Sequence, residues 1–431
     1  MIKNILTPFQ RFVKTESLAG MLLFAATLLA LFWANSPWGD LYDQIWKVKI
    51  GFSLGNFELK KTLILWINDG LMAVFFFLIG LELKRELLVG ELNSVKKAVF
   101  PFWAALGGVV VPILLFVLLN DNAETVRAWG IPMATDIAFA LAILMLLGDK
   151  VPISLKVFLT AFAIIDDLAA VLVIAVFYSA EIYWSLLLMA LLLIGLLAWI
   201  NHKVAYRVAT GLLVGSVVWV LFLKSGIHPT IAGVLLAFAI PIKQKIKLKD
   251  FGQKVAYVAK NIRAWQTTDT YLLSKHDIKC IDLLNEAAGE VRSPLQFLEQ
   301  KLHGLIAYFV LPVFAFANAG IRISSDMEVD NILIRNIALA LFVGKLAGVS
   351  LFTWIGLKIK LIIMPSRINF KHIVGISAIA GVGFTMSIFI ANLAFAGQSV
   401  YINSAKIGII VGSFVAGISG YLWLRTTSLN S

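Results

Sequence analysis

Residues 153–178 read ISLKVFLTAFAIIDDLAAVLVIAVFY, about seven turns of apolar helix with two acids, Asp166 and Asp167, near the middle. The run is long enough to cross a hydrocarbon core. An acid at mid-bilayer costs about 2.5–3.5 kcal/mol on insertion scales, so such residues line a protein interior or a water-filled cavity and not lipid. Similar apolar runs recur along most of the chain, and together they decide the fold class: an all-α, polytopic membrane protein.

Composition agrees. Of 431 residues, 60% are hydrophobic and only 14% charged, with a mean hydropathy of +0.89. A soluble globular chain is nearer half apolar and a quarter charged. The net charge of +12 suits a nucleic-acid binder in a soluble protein, but here loop placement accounts for it. The single cysteine, Cys280, excludes an intramolecular disulfide and gives no metal-site pattern. The early run SLAGMLLFAATLLALFWANS, residues 17–36, has a long apolar core and no A-x-A-like site, and reads as a retained first span.

Twelve spans are expected, near 18–35, 62–83, 98–119, 125–147, 154–178, 184–200, 206–223, 228–242, 303–321, 332–356, 372–396 and 402–424. An even count puts both termini on one side. Lys and Arg favour a cytoplasmic N-terminus, even when the long 243–302 connection is discounted. Residues 47–60, KVKIGFSLGNFELK, alternate apolar and polar on both sides of Gly55-Asn56 and predict an external β-hairpin. Such a hairpin can add strands to a second copy, so a homodimer contact is expected there; a structured loop without a partner is the plainer alternative. The 243–302 segment, opening KQKIKLKD, is read as a long cytoplasmic loop, solvated or in contact with anionic lipid.

Intramembrane ionisable residues carry the functional signal. These are Asp136, Asp166, Asp167 and Lys345, with Asp69 nearer a helix end. Adjacent helical residues point about 100° apart, so Asp166 and Asp167 can border one cavity. Two close carboxylates repel, and burial disfavours their charged forms. Such a pair holds protons at low pH and offers hard oxygen ligands to Na⁺ or Li⁺ when deprotonated, which points to exchange of protons for cation. A salt-bridged pair that fixes helix packing is the plainer alternative.

The stretch GIPMATDIAFA, residues 130–140, interrupts its span at Gly130 and Pro132, just before Thr135 and Asp136. In AGVGFTMSIFIA, residues 380–391, Gly381 and Gly383 precede Thr385. Interrupted spans in the two halves of a transporter point to a mid-membrane site. Their helix ends carry partial charges, which Asp136 and Lys345 could balance; Lys345 could instead pair with Asp166.

MATDIAFALAIL, FAIIDDLAAVLVIA, FFLIGLELKREL, SPLQFLEQKLHG, FAFANAGI and GVGFTMSIFIA, spread over nearly the whole chain, resemble the NhaA family of Na⁺/H⁺ antiporters. The resemblance implies twelve helices with inverted-topology repeats, the fourth and eleventh unwound and crossing at mid-membrane. It implies a cation and proton site at Asp166 and Asp167, with Thr135 and Asp136 in unwound helix four and Lys345 on helix ten. It also implies electrogenic Na⁺(Li⁺)/H⁺ antiport with more H⁺ entering than Na⁺ leaving, location in the bacterial inner membrane, and no cofactor or enzymatic activity. Dimerisation through residues 47–60 and pH regulation are implied as well. The regulatory residues it matches are Glu82, Arg85, Glu86, Glu299 and His303 at the cytoplasmic mouth, and His228. Glu86 also reads as part of a solvated loop-end cluster, and His228, in SGIHPTIAG, as a structural hydrogen-bonding residue. Two departures concern regulation: position 300 is Gln where a His is expected, and the 243–302 segment is longer than usual.

Rival classes fit less well. An intramembrane aspartyl protease needs its acids on facing helices. A retinal pump built on Lys345 does not fit twelve spans, and no P-loop supports ATP-driven pumping. A passive cation channel, or a proton-coupled transporter of another cation, remains the alternative.

Overall fold

The computed structural model describes residues 8–55, 57–179, 181–203, 206–262, 275–324, 327–365 and 368–427. Helices α1 (Pro8–Ala34) and α2 (Gly39–Lys47) lead into an antiparallel hairpin, β1 (Lys49–Leu54) and β2 (Phe57–Thr62). Its register pairs Lys49 with Thr62 and Leu54 with Phe57, so the second strand runs two residues past the expected segment. Gly55 sits at φ +58°, the left-handed region a tight hairpin turn requires. Its expected turn partner, Asn56, lies outside the described residues.

The long apolar helices follow. They are α3 (Leu63–Leu88), α4 (Val95–Leu119), a broken span Val126–Leu146 that ends in α5 (Ile137–Leu146), α6 (Ile153–Phe177), α7 (Trp184–Lys203) and α8 (Val208–Ser225). After a short α9 (Thr230–Phe238) and the polar helices α10 (Leu248–Ile262) and α11 (Lys275–Glu290) come α12 (Pro294–Ala319) and α13 (Asn331–Lys358). A bent pair, α14 (Phe370–Ile379) and α15 (Phe384–Ala394), precedes α16 (Ser399–Thr427).

Among the described residues, nine helices are long and apolar enough to cross a membrane, and up to eleven if each of two bent pairs counts as one span. The expected span at 228–242 holds only the nine-residue α9. Pro229 and Pro241 bracket that segment, and a proline inside a helix would remove a donor and clash with the preceding turn. The 243–302 segment contains α10, α11 and the start of α12, although part of its expected extra length, residues 263–274, lies outside the described residues. Val258, Cys280 and Ala287 are buried there, Lys254 pairs with Glu290 at 3.3 Å, and Pro294 occupies the first turn of α12, where its missing N–H is harmless.

The outer surface is apolar. Leu192, Leu212 and Leu213 stand exposed on α7 and α8, whose apolar windows are only 22% buried. On a soluble monomer this would be an anomalous patch; on a multi-pass membrane protein it is the lipid face. Charge goes inside instead: Asp136, Asp166, Asp167 and Lys345 are all buried. Three short π-helical stretches, Trp66–Leu71, Ile306–Val310 and Ala340–Gly344, interrupt α3, α12 and α13. The last directly precedes Lys345. Such bulges re-aim side chains in an otherwise regular helix.

Candidate functional site

The two interrupted segments meet at their breaks. Before α5 the chain forms a 3₁₀ turn, Val126–Met133, that contains Gly130 and Pro132. Residues 134–136 then adopt no helix. Between α14 and α15 the axis bends by 47°. The Asp136 N–H donates to the Val382 carbonyl at 2.7 Å, Thr135 Oγ1 to the Ala380 carbonyl at 2.8 Å, and Ser387 Oγ to the Ile131 carbonyl at 2.8 Å. Carbonyls freed by the breaks are thus met by groups from the other segment, as buried backbone requires. The glycines at the second break have no room for a side chain, against α13 on one side and the first break on the other. A Cβ on Gly381 would lie 2.6 Å from the Leu341 carbonyl oxygen, and one on Gly383 2.8 Å from that of Ala134.

Asp136 caps two helices at once. Its Oδ1 accepts from the Phe139 N–H at 3.1 Å, at the start of α5. Its Oδ2 accepts from the Thr385 N–H at 3.0 Å and also from the Thr385 hydroxyl, at the start of α15. Both helix N-termini carry partial positive charge, so one carboxylate between them is favourable in low dielectric. Ser413 of α16 adds an acceptor, 3.3 Å from the N–H groups of Gly383 and Phe384.

Asp166 and Asp167 lie in mid-α6 with nearly zero exposure, yet their surroundings differ sharply. Lys345 Nζ donates to Asp166 Oδ1 and Oδ2 at 2.9 and 2.7 Å, with both side chains fully buried. The Phe162 ring lies 5.5 Å from the same ammonium, a desolvated cation–π contact. Of the two partners left open by the sequence, Lys345 therefore sits on Asp166, while the helix-end carbonyls bond to Thr135 and Ser387 hydroxyls. Both oxygens of Asp167 are buried without a hydrogen-bond partner. A buried polar atom in that state is costly and calls for an explanation.

Asp167 borders a cavity of about 50 Å³, room for a few waters. The wall also carries Asp136, Thr385, Thr160, Glu82 and His303, among apolar residues such as Phe75, Ile79 and Met386. Arg85 pairs with Glu86 at 2.8 Å and with Glu299 at 3.2 Å, so these expected residues gather near one end of α3 and the start of α12. His228 does not join them. Its Nε2 lies 3.5 Å from Asp69 Oδ1, while Lys61 holds Asp69 Oδ2 at 2.5 Å. That cluster ties β2 to the other end of α3. Gln300 is exposed.

Ser387, Ser413, Thr160 and Phe162 were not singled out from the sequence. Ser387 stands two residues after Thr385 in an already suspect motif, which is a usable signal. The others look like ordinary helix residues.

The chain matches the family described as Na⁺/H⁺ antiporter 1 over residues 10–424. It is 44% identical over 426 residues to "Na(+)/H(+) antiporter NhaA 1" of Saccharophagus degradans, covering 98% of this chain and 92% of the relative. It is 46% identical over 434 residues to "Na(+)/H(+) antiporter NhaA" of Oleidesulfovibrio alaskensis, covering 98% and 95%. A protein of the same name from Bacteroides fragilis is 43% identical over 430 residues, covering 98% of each chain.

Proposed function

Since the chain belongs to the Na⁺/H⁺ antiporter 1 family, we propose that it is a secondary active antiporter extruding Na⁺, or Li⁺, in exchange for a larger number of H⁺. The observation that carries this is Asp167, a buried carboxylate with both oxygens unpartnered, facing a cavity beside an Asp166 already held by Lys345. A bare carboxylate there is unfavourable, so Asp167 takes either a proton or a cation.

Na⁺ reaching the cavity binds the Asp167 oxygens and draws on those of Asp166, with Thr135 beside Asp166 as a further oxygen donor. For Asp166 to turn to the cation, the Lys345 ammonium must let go. One proton leaves from Asp167 and one from the Lys345–Asp166 pair, so two protons exchange for one Na⁺. One net positive charge then moves inward per cycle, and the membrane potential contributes at about 2.3 kcal/mol per 100 mV. The cycle moves only protons and cations, with no cofactor and no chemical conversion of a substrate, so in this reading the protein is a transporter and not an enzyme.

In this reading the site sits at mid-membrane, where two unwound spans cross within an inverted-repeat arrangement of twelve spans, and access alternates between the two faces. Asp136 balances the positive helix ends. Glu82, Arg85, Glu299 and His303 tune entry with pH at the cytoplasmic mouth, with His228 as a separate titratable element. The protein occupies the bacterial inner membrane as one transporter domain, with both termini and the 243–302 segment cytoplasmic. The β1–β2 hairpin is external, and its two-stranded sheet offers edges to a second copy in a homodimer.

Proteoliposomes test the proposal. With an acidic lumen, adding Na⁺ or Li⁺ outside should raise lumenal pH, and Asp167→Asn should abolish the response. Undiminished exchange by that variant would overturn the site. Na⁺ entry without any pH change would replace the antiporter with a channel.

A further inference from the structure

Away from Glu82 and His303, three separate spans repeat one order of residues. Each passes from a cavity-lining residue to a phenylalanine and then to an asparagine. On α12 the order is Leu311, Phe314, Asn318; on α15 it is Thr385, Phe389, Asn392; on α3, read backwards along the chain, it is Ile79, Phe76, Asn68.

The phenylalanines form one layer. Phe76, Phe314 and Phe389 have no exposed surface, and Phe389 lies between the other two with ring centroids 5.8 and 6.2 Å away. The His228 ring stands edge-on to Phe389 at 5.3 Å. The asparagines form a second layer beyond it. The amide of Asn318 donates to Asn68 Oδ1 at 2.8 Å and its carbonyl accepts from Asn392 at 2.8 Å and from Asn68 at 3.3 Å. Asn68 lies in the π-helical stretch next to Asp69, which Lys61 of β2 holds.

A dry ring stack stops a hydrated ion, while a carboxamide cluster can hydrate one. We propose that Phe76, Phe314 and Phe389 are the gate that shuts the Asp167 cavity from the face opposite Glu82 and His303, and that Asn68, Asn318 and Asn392 are its latch and a polar lining for a small hydrated cation on that side of the rings. The proposal rests on the alternating-access reading above. Opening that face parts α3, α12 and α15 at these layers: the ring contacts separate, and the carboxamides exchange their mutual hydrogen bonds for water and cation. Asn318 is the keystone, since it alone bonds to both of the other asparagines.

Labelling tests this without requiring transport. In a Cys280→Ser background, Ile79→Cys puts a thiol on the cavity wall. A membrane-impermeant thiol reagent is applied to whole cells and, separately, to inverted vesicles. The parent should label from the Glu82 face and poorly from the other. Asn318→Ala should raise labelling from the other face by about tenfold, the population shift worth roughly one net hydrogen bond. Phe389→Ala, which removes a ring and no hydrogen bond, should do the same, so the outcome does not hang on one variant's folding. Labelling from the Asn face within about twofold of the parent, in both variants eluting as folded protein, overturns the gate. Na⁺/H⁺ exchange by the parent is measured alongside. A parent that exchanges while neither variant shifts labelling defeats the gate alone. A parent without exchange whose variants still shift defeats the antiport reading and leaves the gate standing.

Discussion

Replacing Lys345 by methionine is the sharpest probe of the buried charges. The ammonium donates to both oxygens of Asp166 at 2.7 and 2.9 Å, and neither side chain has any exposure. At the effective dielectric that suits buried sites, a contact pair attracts by about 4 kcal/mol. Removing one member of a buried pair costs about 3–5 kcal/mol, because the survivor stays desolvated and uncompensated. Lys345→Met is therefore expected to lower the melting temperature by several degrees, read from tryptophan fluorescence in detergent. Asp166→Asn should cost a comparable amount, since it strands the ammonium. The double variant should recover most of the loss, because replacing a buried pair together is often nearly neutral and contacting residues do not act additively. A Lys345→Met protein that melts with the parent, or a double variant whose loss equals the sum of the singles, would refute the pairing as a stabilising contact.

Other expectations follow from the same geometry. Asp136→Ala strips caps from α5 and α15 together and should cost about 2 kcal/mol, at roughly 1 kcal/mol per cap; a melting loss typical of a single cap would argue against the double role. Gly383→Ala pushes a methyl to 2.8 Å from the Ala134 carbonyl oxygen and should destabilise by about 1–3 kcal/mol, whereas Gly195→Ala, with open space around it, should be tolerated in the same assay. Arg85→Gln leaves Glu86 and Glu299, only 12% and 17% exposed, without their cation and should cost about 1–3 kcal/mol while the pH dependence of exchange shifts; an unchanged pH profile would remove Arg85 from regulation. If the hairpin joins two copies, a cysteine at Ser53 in a Cys280→Ser background should cross-link into dimers on oxidation, and purely monomeric product would count against that contact.

The membrane character of this chain was plain in its sequence because a spanning segment has few solutions. Every backbone polar group must be satisfied within the segment or its immediate partners, so long apolar runs become helices. Breaks were visible where Gly130, Pro132, Gly381 and Gly383 interrupt those runs, and two acids in mid-helix could not be ordinary lipid-facing residues. The polarity of residues 243–302 gave no sign of a span, and the helices α10 and α11 within that connection bury few of their described residues, among them Val258, Cys280 and Ala287. Within the expected span at 228–242 only the nine residues of α9 are helical, because Pro229 and Pro241 bracket the apolar run.

What only the tertiary structure decided were the pairings. Sequence placed Lys345 near the acids but could not choose between Asp166 and the helix ends. That choice depends on how α13 and α6 are set on either side of α4, which touches both. The double cap of Asp136, the hydroxyls of Ser387 and Thr135 on opposing carbonyls, and the phenylalanine and asparagine layers join residues far apart in the chain. Many of those contacts end on backbone atoms, which no side-chain pattern records. A hydrophobic run specifies that a helix crosses; the partners its few polar groups find are set by which helices lie beside it.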